Sequence, residues 1–179
     1  MNVGKNRILN LIGTIYIDAV RGVPLLVLAF FIYFGLPQGI KALGFTNFRL
    51  TALQAGVIAL SMNCGAYMAE IIRAGIESVD KGQMEAARSL GLPYGTSMRR
   101  VVLPQAIRTM IPSIINQFII TLKDTSILSS IGFPELTNTG KTVASNTMNL
   151  IGTWAVIALF YLVVITILSK LAKYMERRI

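Results

Sequence analysis

The sequence predicts an all-α integral membrane protein of about four transmembrane helices in a single domain, 1–179, and three observations carry that prediction. Apolar residues make up 54% of the 179 residues, and the mean hydropathy of +0.63 exceeds that of an ordinary soluble domain. These residues are also clustered: Gly22 to Ile40, Leu50 to Ala69 and Thr142 to Ser169 carry no charge at all. A helix needs roughly 20 residues to cross a hydrocarbon core, and backbone groups in lipid must be satisfied within their own segment, which makes helices the default. Third, the charges alternate between the two sides of such spans.

That alternation also explains the net charge of +9 without nucleic acid. With spans at about 22–40, 50–72, 101–122 and 150–168 and the N-terminus inside, the inside segments hold Lys5, Arg7, Arg21, Arg73, Lys81, Arg88, Arg99, Arg100, Arg108, Lys170, Lys173, Arg177 and Arg178. Only Lys41, Arg49, Lys123 and Lys141 fall outside. The bias follows the positive-inside rule and puts both termini and the loop after the second span in the cytoplasm. The single cysteine, Cys64, cannot form an intrachain disulfide, and the absence of histidine excludes histidine-based catalysis and metal binding. No cofactor is expected.

In chain order, Met1 to Arg21 reads as a basic, partly amphipathic lead-in that is retained rather than cleaved. Arg21-Gly22-Val23-Pro24 opens the first span, with proline where a first helical turn tolerates it, and Gly35-Leu36-Pro37 closes it. In the second span Asn63, Tyr67 and Glu70 recur at helical spacing on one face, either as a hydrogen-bonded seam between helices or as a solute-facing one. Gly56 and Gly65 allow another helix to approach closely. Glu70, Arg73 and Glu77 are spaced for ion pairs along the helix surface.

Asp80 to Pro104 is a polar, basic island between apolar spans. Asp80 and Gln83 have capping spacing, Gly91 stands where a C-terminal glycine belongs, and Pro93 blocks continuation. They bracket a helix of about 81–90. Thr96 or Ser97 is expected to cap a second helix that runs back to the membrane, so the island is a helix–turn–helix knob. Beyond it, Ser113, Asn116, Gln117, Thr121 and Asp124 form a polar stripe, and buried polar groups in lipid often line an aqueous path. Pro104 and Pro112 are expected to bend or break that helix, as at many transport sites. Lys123-Asp124-Thr125-Ser126 reads as a turn in which Lys123 and Asp124 can pair. Ile127 to Asn149 reads as an outer loop with a short interfacial helix. The final span, Leu150 to Leu168, is almost wholly apolar.

Glu85-Ala86-Ala87, Gly91 and Val101-x-Leu103-Pro104 resemble the EAA-loop pattern of ABC importer permease subunits. Arg21-Gly22-Val23-Pro24-Leu25-Leu26, Phe31-Ile32-Tyr33-Phe34-Gly35-Leu36-Pro37 and Gly65-Ala66-Tyr67-x-Ala69-Glu70-Ile71-x-Arg73-Ala74-Gly75-Ile76 extend the match. So do Pro104-Gln105-Ala106-Ile107, Asn116-Gln117-Phe118-Ile119 and Leu122-Lys123-Asp124-Thr125-Ser126. Together they are similar to the polar amino acid uptake branch, of histidine/glutamine permease type, over nearly the whole chain. Members of this branch usually have five spans, and the chain begins after the place of the first; a truncated start or a partner covering the gap is expected. Val23 and Leu28 replace a threonine and a glutamine often found there, so one polar contact to the pathway is expected to be missing.

The resemblance implies a multi-pass subunit of a bacterial plasma (inner) membrane, with its C-terminus in the cytoplasm. It implies a second permease subunit, identical or similar, a pair of cytoplasmic ATP-binding subunits and an extracytoplasmic solute-binding protein. The knob becomes a coupling helix, with Glu85, Ala86, Ala87, Gly91, Leu103 and Pro104 meeting the ATPase. Because the chain has no GxxxxGK[ST] phosphate loop, ATP is bound elsewhere and the subunit is not an enzyme. Asn63, Tyr67, Asn116, Gln117, Thr121 and Asp124 are the expected solute contacts, with a neutral, glutamine-like amino acid favoured by Gln117. A secondary transporter or channel needing no ATPase, coupled through Glu70 or Asp124, is the alternative. A non-transporting assembly subunit is a third reading.

Overall fold

Prolines and glycines set where the helices of this chain begin, widen and end. The structure, a computed structural model, describes residues 7–44 and 48–176; the expected inside charges Lys5, Arg177 and Arg178 lie outside the described residues. Among the described residues, three helices are long and apolar enough to cross a membrane by length and composition: Leu25–Ala42, Ala52–Glu77 and Leu150–Tyr174.

The lead-in is more regular than expected. Residues Arg7–Gly22 form a full helix, α1, which buries Ile17 and Val20 and exposes Ile8, Leu9, Leu11 and Ile12. The Tyr16 hydroxyl donates to the Met62 carbonyl at 2.9 Å and braces α1 against α4 (Ala52–Glu77). Pro24 then separates α1 from α2 (Leu25–Phe30): it is the N-cap of α2, with ψ 140°.

The segment after α2 passes through a wide π turn, Phe31–Gly35, into α3 (Leu36–Ala42). A second π turn, Met98–Val102, leads into α7 (Leu103–Asp124). Each wide turn ends two residues before a proline, Pro37 or Pro104. Proline lacks an N–H and its ring crowds the carbonyl four residues back, here Tyr33 or Arg100, so the backbone widens around that carbonyl. Pro112, in contrast, lies inside α7, which continues through it. Of the expected bend or break at Pro104 and Pro112, α7 shows the π turn before Pro104 and no break at Pro112, and the helix interruption sits at Val23 and Pro24. Proline is tolerated in apolar helices when the freed carbonyl finds another partner.

The knob has the expected first helix, α5 (Lys81–Ser89), capped by Asp80 Oδ1, which accepts from the Gly82 N–H at 2.6 Å. Gly91 adopts φ +82°, and the Leu92 N–H reaches back to the Ala87 carbonyl at 3.3 Å, closing α5 as a left-handed glycine does. The second helix, α6 (Tyr94–Ser97), starts earlier than expected. Its N-cap is Pro93, not Thr96 or Ser97. Ser97 is instead fully buried, its hydroxyl donating to the Pro93 carbonyl at 3.2 Å.

The core lies between α2, α4 and the 3-10 turn Thr125–Ile131, around Ala29, Ala55, Ala59, Leu128 and Ile131. Small residues on α4 permit this closeness: a Cβ on Gly56 would stand 2.2 Å from the Phe133 ring. Gly65, also expected at a close approach, meets only the Tyr16 hydroxyl at an ordinary 3.7 Å. The tight α4–α7 contact is at Gly75, where a Cβ would lie 2.9 Å from Met110 Cβ. Asp124 ends α7 rather than forming a turn, and no ion pair joins it to Lys123 among the described residues. The expected outer loop is largely helical, as the 3-10 turn and α8 (Leu136–Thr147). The last helix, α9 (Leu150–Glu176), leaves Ile151, Leu159, Phe160 and Leu162 exposed.

Candidate functional site

The break between α1 and α2 lies against the middle of α4 and the second half of α7. There it closes a cavity of about 480 Å³ whose polar lining is Arg21, Asn63, Tyr67, Gln117 and Asp124. Gly22, Val23, Pro24, Leu25 and Ile120 form the remaining wall. An interrupted helix at a polar cavity is a common arrangement at solute sites in membranes, because irregular backbone there is tolerated only where it lines a cavity.

Asn63 is only 7% exposed, yet its amide makes no hydrogen bond with the described residues. No buried side-chain nitrogen or oxygen among them is left without a partner, so the Asn63 amide must reach the cavity. Gln117 is 5% exposed; its amide nitrogen makes a long 3.5 Å contact with Thr121 Oγ1, while that hydroxyl donates to the Gln117 carbonyl at 2.9 Å. Thr121 thus stands behind Gln117 rather than in the cavity lining. Asp124 is half-buried at the end of α7 and makes no hydrogen bond or ion pair among the described residues.

Asn116 parts from this group. It lies exposed, with Ser113, along a different groove against Ser169 and Lys173 of α9. Of the expected solute contacts, the fold therefore brings Asn63, Tyr67, Gln117 and Asp124 to one cavity, keeps Thr121 in support, and leaves Asn116 outside it.

Arg21 is the cavity residue that sequence reasoning passed over as a topology signal. Its guanidinium carbon sits 5.1 Å from the centre of the Tyr67 ring, within the range of a cation–π contact. Its Nη1 is 3.6 Å from Glu70 Oε2. Arg73 holds Glu70 more closely, donating Nε to Oε2 at 3.1 Å and Nη2 to Oε1, and reaches Glu77 at 2.9 Å. The expected surface ion pairs are thus present, with Arg21 added. The signal that could have found Arg21 was its position one residue before the Gly-Val-Pro break.

On the knob, Glu85, Ala86 and Gly91 are exposed, while Ala87 is buried. Leu103 and Pro104 start α7, and Gln105 Nε2 donates to Gln83 Oε1 at 3.3 Å, tying α7 to α5. A groove of about 550 Å³ opens between the end of α4, α5 and α6, beside Met84, Tyr94 and Met98.

A family model described as "Binding-protein-dependent transport system inner membrane component" matches residues 1–179. The chain is 42% identical to the probable glutamine ABC transporter permease protein GlnM of Bacillus subtilis, over 94% of this chain and 74% of that protein. It is 38% identical to the glutamine transport system permease protein GlnP of Escherichia coli K12, over 96% of this chain and 76% of that one. A crystal structure of an amino acid ABC transporter with histidines superposes with a TM-score of 0.91 at 42% identity, covering 100% of this chain and 80% of that one. The MetNI methionine ABC transporter, in inward-facing conformations, shares the fold with a TM-score of 0.78 at 15% identity, covering 99% of this chain and 78% of that one. The chain belongs to the family of binding-protein-dependent transport system inner membrane components, as the translocation subunit, and not the ATPase, of an ABC importer.

Proposed function

We propose that this subunit carries a polar, neutral amino acid of glutamine type through the cavity at the α1–α2 break, in partnership with a second permease subunit. The observation that carries this reading is the cavity's mixed lining. An amino acid brings an ammonium, a carboxylate and, for glutamine, an amide; Asp124, Arg21 and the amides of Asn63 and Gln117 complement them in turn. Relatives named for glutamine transport support the same class.

In this reading the knob faces the cytoplasm. Arg88, Arg99, Arg100, Lys170 and Lys173 lie on that side and Lys41, Arg49, Lys123 and Lys141 opposite, so the C-terminus is cytoplasmic too. The exposed face around Glu85, Ala86 and Gly91 docks in an ATP-binding subunit, while Ala87 is buried on the other side of α5. Leu103 and Pro104 connect the knob to the helix that bears Gln117 and Asp124. Closure of an ATPase pair would push each knob and reorient the helices lining the cavity. An extracytoplasmic binding protein would deliver the solute.

Uptake by the assembled transporter in proteoliposomes tests this. ATP-dependent uptake of glutamine over arginine, lost with Gln117→Leu, is the expected result. A preference for arginine would refute the neutral-solute assignment. Co-purification of the ATP-binding subunit, lost on Glu85→Lys or Gly91→Pro, tests the docking face.

A further inference from the structure

Arg21 belongs to two compartments at once. It lines the central cavity and also a smaller polar pocket of about 240 Å³, shared with Asp18, Glu70 and Arg73. Its guanidinium forms no hydrogen bond among the described residues. The nearest carboxylate oxygen, on Glu70, is 3.6 Å away, beyond hydrogen-bond length, and both Glu70 oxygens are already engaged by Arg73. The guanidinium also sits over the Tyr67 ring. Arg21 therefore presents a planar fork of donors whose strongest partner has been taken by another cation.

The Arg21 side chain is 37% exposed, so a solute can reach it, and its fork matches a carboxylate bidentately. The cavity supplies the opposite charge at Asp124, which makes no hydrogen bond among the described residues, so a zwitterion engages both groups at once.

We propose that Arg21 is a specificity-determining residue that exchanges partners. In the empty cavity it rests against Tyr67 and Glu70, holding the end of α1 to α4; when solute enters, the α-carboxylate takes the guanidinium and loosens that hold. The solute then lies with its carboxylate toward the α1–α2 break and its ammonium toward Asp124. This rests on the cavity being the solute path. It adds the orientation of the solute and a link between occupancy and the α1–α4 contact.

The test is equilibrium binding to the assembled transporter in nanodiscs without ATP, using L-glutamine and glutaminamide. Wild type is expected to bind glutamine about 10- to 100-fold more tightly than glutaminamide, the range of a charge-assisted hydrogen bond. Arg21→Gln is expected to bind the two alike, with Arg21→Lys restoring part of the preference. A merely structural arginine would weaken both probes by the same factor, and that result would overturn the proposal. Glu70→Gln, which retains Arg21 and removes its competitor, should bind glutamine at least as tightly as wild type while keeping the preference over glutaminamide. A loss of preference there also overturns it. Wild type binding neither probe would sink the pathway reading itself, whereas wild-type binding with an undiminished carboxylate preference in Arg21→Gln sinks only the role of Arg21.

Discussion

The Tyr161 hydroxyl donates to Glu135 Oε2 at 3.0 Å across 26 residues of chain, and that one carboxylate also caps a helix. Glu135 accepts the Thr137 N–H at 2.7 Å and the Asn138 N–H at 2.5 Å at the start of α8, where free N–H groups and the helix dipole favour negative charge. The Thr137 hydroxyl lies 3.2 Å from the same tyrosine oxygen. A cap and a tether between α8 and α9 thus share one acidic group. Tyr161→Phe deletes the tether and spares the cap, and should cost about 1–2 kcal/mol. Glu135→Ala deletes both and should cost about 2–3 kcal/mol. Thermal unfolding of the detergent-solubilised transporter orders the two; equal losses would show that the cap contributes nothing.

Gly75 is the position where α4 and α7 allow no side chain. A Cβ there would lie 2.9 Å from Met110 Cβ and 3.4 Å from the Ala106 carbonyl, neither of which is the free end of a flexible chain. Gly75→Ala should destabilise by about 1–3 kcal/mol through overpacking, and Gly75→Leu should prevent assembly. Gly13, in α1 with nothing within 4 Å of its Cβ position, is the control. Gly13→Ala should be neutral or slightly stabilising, since alanine is the better helix former by about 1 kcal/mol. The unfolding midpoint should therefore fall for Gly75→Ala and hold or rise for Gly13→Ala.

The knob offers a similar contrast within four residues. Gly91 holds φ +82°, a region that costs an L-residue roughly 1–2 kcal/mol, while Gly95 lies in α6 with open space around it. Gly91→Ala should loosen the α5–α6 turn and weaken capture of the ATP-binding subunit in a pull-down. Gly95→Ala should leave capture unchanged. Equal capture by both variants would mean that the shape of the turn is irrelevant to docking.

How much of this was readable in advance varies with the kind of signal. The cap at Asp80, the left-handed Gly91 and the ion pairs around Arg73 follow from local chemistry within a few residues, and the fold has them. Pro93 misled: its fixed φ suits the N-cap of α6, so the helix begins at Tyr94, ahead of the hydroxyl-bearing Thr96 and Ser97. Periodicity also grouped Asn116 with Gln117, although neighbours in a helix point about 100° apart. Only packing decides that one meets α9 and the other α4. Arg21 was hidden for a related reason. A charge beside an apolar span reads as a topology signal unless one knows that the chain turns at Pro24 and carries that charge inward.

Asn116 and Gln117 therefore make the sharpest test of the cavity. Gln117 is buried and lines it, and its amide is one of two that can read a neutral polar side chain; Leu at this position keeps the volume but removes both donor and acceptor. A solute amide left facing leucine loses its hydrogen bonds without regaining water, a penalty of about 1–3 kcal/mol, so glutamine uptake at low concentration should fall about 10- to 100-fold. Asn116 is exposed in the groove against α9, and a substitution at such a site typically moves stability by no more than about 0.5 kcal/mol. Uptake by Asn116→Leu should thus stay within about twofold of wild type. Concentration dependence separates the causes: Gln117→Leu should raise the KM for glutamine more than it lowers the maximal rate. If Asn116→Leu instead gives the larger rise in KM, the solute passes along the α7–α9 groove and the central cavity is a packing feature.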